Sequence, residues 1–232
     1  MQGMSFAQRM KDFNRNLHLT AALPPNVGVL NPFGENKLAL SCADAFYDKY
    51  YSDNKKRWPI LGINPGRFGA GLTGVPFTDF KRLQQVCGIE TGGASSHEPS
   101  SEFIYCMIAA MGGVDVFYKH FYINSICPLG FIILKSNGKW MNYNYYDDKA
   151  LYAAVKAFII QSIQQQIALG LYTEECFCLG KKNTAYLSVL NEEFHFFKTI
   201  TELPHPRFIV QYKRKEMNAF IDVYVEKLSK RM

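Results

Sequence analysis

The sequence lacks several features that would settle its class at once. None of its 232 positions begins a run of about 18 apolar residues, so no segment reads as a membrane-spanning helix. The opening stretch MQGMSFAQRMKDF has no continuous apolar core followed by a small-residue cleavage site, and an intracellular, cytoplasmic protein is the expectation. Six cysteines are present (Cys42, Cys87, Cys106, Cys127, Cys176 and Cys178), yet no two form a CxxC pair. Zinc and iron–sulfur ligation are therefore not expected, and the thiols read as free and buried. A glycine-rich turn exists, but its spacing fits neither GxGxxG nor GxxxxGK[ST]. No linker, repeat or low-complexity segment divides the chain, so residues 1–232 read as one domain that needs no metal or organic cofactor.

What is present fits a compact fold. Hydrophobic residues make up 48% of the chain and charged residues 20%, enough apolar material for a sizeable core. The formal net charge of +6 suits a polyanionic partner without requiring one. The cations gather in short clusters, Lys55-Lys56-Arg57, Lys181-Lys182, Lys213-Arg214-Lys215 and Lys230-Arg231, each of which reads by itself as a solvated surface patch.

The periodicity supports alternating helices and strands. Phe6, Met10, Phe13 and Leu17 share a helical face over 5–19, and Ser41 is a candidate cap for a helix ending near Tyr51. Residues 59–63 read as a buried strand running into a glycine-rich loop, and Thr78 or Asp79 starts a helix that ends near Gly88. A polar loop over 91–100 precedes a helix over 101–111. The aromatic and β-branched run 116–126 reads as a strand, and Ser136-Asn137-Gly138 joins a hairpin of 131–134 and 140–143. A long helix from Asp147 or Asp148 to Gly170, a strand over 176–179, a helix over 182–191 and a strand over 196–201 follow. A basic helix from about Gln211 to Ser229 ends the chain. This order predicts an α/β fold, a three-layer α/β/α sandwich with a central, mainly parallel four-stranded sheet.

Ligands of open α/β sheets bind at the carboxyl ends of the strands. Three polar residues fall there: Asn64, Asn124 and His205. Each also has a bland reading. Asn64-Pro65-Gly66 is an ordinary turn by composition, and Asn124 in an apolar strand is either a satisfied core amide or a ligand reader. His205, between Pro204 and Pro206, is held in a narrow backbone range and is either a fixed imidazole or a surface-loop histidine. Phe77 is core or a stacking platform. His18, His97, His120 and His195 read as structural.

Gly62-Ile63-Asn64-Pro65-Gly66-Arg67-Phe68-Gly69 with Thr73-Gly74-Val75-Pro76-Phe77 resembles the first motif of the single-strand-selective monofunctional uracil-DNA glycosylase family. Asn124 with Cys127-Pro128-Leu129 resembles its base-reading segment, and Leu203-Pro204-His205-Pro206-Arg207 its second catalytic motif. Val27-Gly28-Val29-Leu30-Asn31-Pro32 is similar to its lead-in. The motifs stand in the family's order along nearly the whole chain.

The resemblance implies a monofunctional enzyme that flips uracil or a related base, such as 5-hydroxymethyluracil or xanthine, out of DNA and hydrolyses its N-glycosidic bond. Asn64 would hold the attacking water. Phe77 would stack on the base, beside Ile63 and Gly66, and Asn124 would read its pairing edge. His205 would donate to the departing base. Arg67, Arg207, Phe208, Tyr212, Lys213, Arg214 and Lys215 would meet DNA, with the wedge residue among Arg207, Phe208 and Tyr212.

The family's second motif usually continues histidine, proline, serine, proline, arginine, whereas Arg207 here follows Pro206 directly. Arg67 also replaces a smaller or more rigid residue, and either binds phosphate or narrows the pocket. Both differences point to a divergent, bacterial-type branch. A monomer is expected, nucleoid-associated if the source is bacterial. The competing readings are a catalytically weak damage-binding module and a small-molecule hydrolase or transferase on the same fold.

Overall fold

A computed structural model describes residues 3–34 and 36–232; Met1, Gln2 and Glu35 lie outside the described residues. In chain order the elements are α1 (Phe6–Arg15), β1 (Val27–Leu30), α2 (Lys37–Tyr50), β2 (Trp58–Gly62), α3 (Ala70–Thr73), α4 (Phe80–Gln85) and α5 (Pro99–Ala110). Then come α6 (Val114–His120), β3 (Phe121–Ser125), β4 (Gly130–Leu134), β5 (Trp140–Tyr143) and α7 (Lys149–Ala168). The chain ends with β6 (Cys176–Leu179), α8 (Lys181–Phe194), β7 (Ile200–Leu203), α9 (Pro206–Tyr212) and α10 (Met217–Leu228).

The central sheet has the order β3-β2-β6-β7, and every pairing is parallel. Its inner strands are continuous apolar runs, as a sheet covered on both faces requires. Leu61, Tyr122 and Cys178 face α1, α7 and α8, through Phe6, Gln166 and Asn183. Phe121 and Phe177 face the other way, toward Phe117 of α6. There α5 packs against α6, α9 and α10. The three-layer α/β/α sandwich expected from the element order is the observed architecture. A second, antiparallel sheet, β1-β4-β5, sits at the carboxyl end of β2, where a Cβ at Gly130 would come within 2.4 Å of the Pro65 carbonyl.

Four local expectations are corrected. The run 116–126 is a helix up to His120 and a strand only from Phe121, because Gly112 and Gly113, at φ +96° and +90°, turn the chain sharply into α6. Aromatic content reports fit to a half-buried surface, and one buried helical face carrying Phe117 and Tyr118 fills that surface as well. The cap of α2 is Asn36, whose side-chain oxygen accepts from Ala39 N–H, and Ser41 lies inside the helix. The last strand lies at 200–203, after a loop over 196–199. The terminal helix begins earlier than Gln211 and breaks, since α9 starts at Pro206 in the favoured first-turn position. It gives way to a short 3-10 turn, Arg214–Glu216, before α10.

Candidate active site

The loop after β2 and the loop after β7 meet at the carboxyl end of the sheet around a cleft of about 170 Å³. Ile63, Asn64, Pro65, Gly66 and Phe77 form one side, His205 and Arg207 another, and Glu98, Ser100, Asn142 and Asn144 complete it. That is close to the roughly 150 Å³ of an engineered cavity that takes up benzene, the scale of a single ring rather than a whole nucleotide. A larger open hollow of about 910 Å³, around Asn191, His195 and Lys198, lies at the amino end of β7 and gathers none of the residues that the sequence marked.

Asn64 is clamped by backbone. Its Oδ1 accepts from Tyr145 N–H at 3.1 Å, and its Nδ2 donates to Tyr143 O at 3.2 Å. An amide N–H can only donate and a carbonyl can only accept, so these partners fix which side-chain atom is oxygen. Tyr143 ends β5 and Tyr145 lies two residues beyond it, so the small sheet sets the orientation of a residue that follows a strand of the large one.

His205 caps α9. Its Nδ1 accepts the Arg207 backbone N–H at 3.1 Å and therefore carries no proton. Burial, with the Arg207 charge adding to it, pushes the imidazole down to about 4. The ring is thus neutral near pH 7, and its remaining proton sits on Nε2. Tyr224 of α10 donates to the Pro204 carbonyl and pins the loop from behind.

Phe77 occupies the left-handed region at φ +53°, a strained setting for a bulky residue that costs of order 1 kcal/mol. The Thr73 hydroxyl brackets it, donating to Thr78 O at 2.7 Å and accepting from Val75 N–H at 3.1 Å. The ring lies over Gly62, where a Cβ would be 2.6 Å from it, and its centroid is 6.2 Å from that of His205.

The structure does not bring Asn124 to this cleft. Its Nδ2 donates to the Tyr122 hydroxyl and its Oδ1 accepts from Ser125 N–H, on the sheet face toward α1 and α7. Strand residues alternate faces. Ser125, the register partner of Gly62, therefore shares the face that carries Phe77. The single apolar-context amide stood out in sequence, but strand parity turns it the other way.

Of the expected DNA contacts, only Arg207 lines the cleft. Arg67 follows the lining residue Gly66, its backbone N–H donating to Asn142 and its guanidinium resting over Phe68, and neither arginine joins an ion pair among the described residues. Phe208 and Tyr212 project from α9, 45% and 67% exposed. Lys213 pairs with Glu216 and Arg214 with Glu102, while Lys215 is exposed.

A profile of the Uracil DNA glycosylase superfamily matches residues 49–229, which include both loops of the cleft. The chain belongs to that superfamily. Solved structures include a near match over its whole length: the crystal structure of wild-type Pedobacter heparinus SMUG2 is 52% identical, covers 98% of each chain and gives a TM-score of 0.95. The single-strand selective monofunctional uracil-DNA glycosylases of Rattus norvegicus and Bos taurus are 28% identical over 106 residues and 26% over 113. These alignments span 37% and 40% of both this chain and those relatives.

Sequence reasoning missed Glu98, Ser100, Asn142 and Asn144 as members of the cleft. Asn142 accepts the Arg67 backbone N–H at 3.1 Å and Asn144 caps the turn before α7 through Asp147, so both read locally as hairpin-end polar residues. Glu98 carried one faint signal. It is the residue before the Pro99 that opens α5, yet glutamate is not among the favoured caps, and its side chain makes no cap bond.

Proposed function

We propose that this chain is a monofunctional DNA glycosylase that binds DNA as a monomer, flips out uracil or a related damaged base and hydrolyses its N-glycosidic bond. The observation that carries the reading is a neutral His205, its one N–H on Nε2, lining the same small cleft as an Asn64 amide locked by Tyr143 and Tyr145. Cleavage at deoxyribose develops negative charge on the base and positive charge on the sugar. A fixed neutral donor at the base oxygen stabilises that charge most where water is excluded. Asn64 cannot take a proton near neutral pH, so its part is to hold the nucleophilic water. Phe77 supplies the stacking wall, with Ile63 and Gly66 beside it.

No lysine lines this cleft among the described residues, which supports hydrolysis without a Schiff base and without strand cleavage. Arg67, Arg207 and Lys215 are proposed phosphate ligands. Lys213 and Arg214 join them by exchanging their carboxylate partners for phosphate. Phe208, exposed one residue beyond Arg207, is the proposed wedge, with Tyr212 one turn further along. The lesion range is proposed to extend to 5-hydroxymethyluracil and xanthine. A serine hydroxyl on the Phe77 face donates or accepts, where a fixed amide would select one pairing edge.

The test is base release from oligonucleotides carrying one uracil, 5-hydroxymethyluracil, xanthine or hypoxanthine, single- and double-stranded. Asn64→Ala and His205→Ala are expected to lose about 100-fold or more in rate. A folded, DNA-binding wild type that releases none of these bases would return the chain to the damage-binding reading.

A further inference from the structure

Glu98 sits on the wall of the cleft with no role assigned so far. Its backbone is fixed, the N–H donating to Asp79 Oδ2 at 2.8 Å and the carbonyl accepting from Ser101 N–H at 3.0 Å. Its carboxyl oxygens, by contrast, accept no hydrogen bond and join no ion pair among the described residues. They lie against the catalytic turn: a Cβ at Gly69 would fall 1.9 Å from Oε2, and one at Gly66 3.8 Å from Oε1. A half-buried carboxyl without a partner is costly unless it serves a ligand.

Glu98 and Asn64 line the same cleft of about 170 Å³, and the Glu98 oxygens lie against Gly66, two residues after Asn64. Of the lining groups, only His205 and Glu98 have a titration within reach of a proton acceptor's role, and His205, pushed down to about 4, stays neutral near pH 7. The Nδ1 lone pair of His205 is occupied by the Arg207 N–H, which leaves that ring a donor only. Attack by water still requires a proton acceptor, and Asn64 is not one.

Resting on the glycosylase reading, we propose that Glu98 is a catalytic residue, the general base that takes the proton of the attacking water. As the water oxygen bonds to the sugar C1′, its O–H bond breaks toward a Glu98 oxygen. The C1′–N bond breaks with its electron pair leaving on the base, where the His205 Nε2–H supports the developing anion. The proton on Glu98 then passes to the released base or to solvent.

The electrostatic setting agrees. Burial first, and then the Asp79 charge, push the Glu98 carboxyl up to about 7, against the opposing pull of Arg207. Asp79 is itself held by Arg82 at 2.9 Å, with His97 Nδ1 3.7 Å away. Glu102, on the same helix, is engaged by Arg214. An acceptor poised near the working pH is the efficient one.

The experiment is single-turnover uracil release by wild type, Glu98→Gln and Asn64→Ala from pH 5.5 to 9, with melting temperature and affinity for a non-cleavable substrate oligonucleotide measured alongside. The wild-type rate should climb with pH through about 7 and level off. Glu98→Gln, which keeps shape, should bind DNA as the wild type does, lose roughly 100-fold in rate and show no rise through that window. An active wild type matched in rate and profile by Glu98→Gln overturns the assignment and leaves the glycosylase reading intact. An inert wild type removes both. Should Glu98→Gln melt early or bind weakly, Glu98→Ala with added sodium formate decides the matter. Restored release supports the role, and failure of any formate concentration to restore it overturns it.

Discussion

The two asparagines at strand ends began as equals and part ways by a single strand position. Asn64 leaves β2 and is clamped by the hairpin segment, whereas Asn124 bonds back along its own strand to Tyr122 and, through it, Gln166 on the face toward α7. Asn124→Ala should therefore be a stability mutation. It leaves buried partners unmet, at a cost of about 1–3 kcal/mol, seen as a melting temperature lower by several degrees. Uracil release should stay within about threefold of wild type. Unchanged melting together with lost discrimination between uracil and cytosine would restore Asn124 to the base-reading role. His205 gives a second residue-scale expectation. Its folded value of about 4 lies below the ordinary 6.5, so between these values the unfolded chain binds more protons than the folded one. Its contribution to stability is complete above pH 6.5 and is lost as pH falls toward 4. Thermal melts in that window should show wild type losing more than His205→Gln; parallel curves would mean the ring is not buried neutral.

At the scale of elements, the Asn64 loop is held by the small antiparallel sheet. β4 approaches it so closely that Gly130 has no room for a methyl group, with the Pro65 carbonyl 2.4 Å and the Leu30 Cβ 3.0 Å from where one would stand. Two of those obstacles belong to backbone or its first carbon and cannot swing aside. Gly130→Ala is expected to cost about 1–3 kcal/mol by overpacking and to displace Asn64, lowering release of uracil more than tenfold while DNA affinity holds. Full activity at a normal melting temperature would show that the two sheets are not mechanically coupled at this contact. On the far side, α10 steadies the His205 loop through Tyr224 to Pro204 and Lys227 to Glu202, which gives the terminal helix a positioning role.

Across the whole molecule, the net charge of +6 is expected to act on DNA through a few cations. Arg207 at the cleft, Arg67 beside its wall and Lys215 beyond α9 join no ion pair among the described residues, while Lys213 and Arg214 are held by carboxylates. Three to five phosphates neutralised would give a slope of roughly −2 to −3.5 in log affinity against log salt for single-stranded DNA. Lys215→Ala should lower its magnitude by about 0.7. Binding that ignores salt would favour a small-molecule substrate instead.

Much of this molecule was legible in the residues. The apolar runs at 59–63 and 176–179, the alternation of helix and strand, and the proline-set histidine all depend on neighbours close in sequence. Local backbone preference and periodicity therefore identify the layered fold and bring Asn64 and His205 to the same end of one sheet. The tertiary structure decided what depends on facing and on distance. Strand parity turned Asn124 away and Ser125 toward Phe77. Consecutive glycines made a helix of 114–120 despite its aromatic content. Glu98, 34 positions from Asn64 in a polar loop, enters the cleft only when α5 packs beneath α9. Residue type sets what a side chain can do; the burial and neighbours that make it do so arise only when the chain closes.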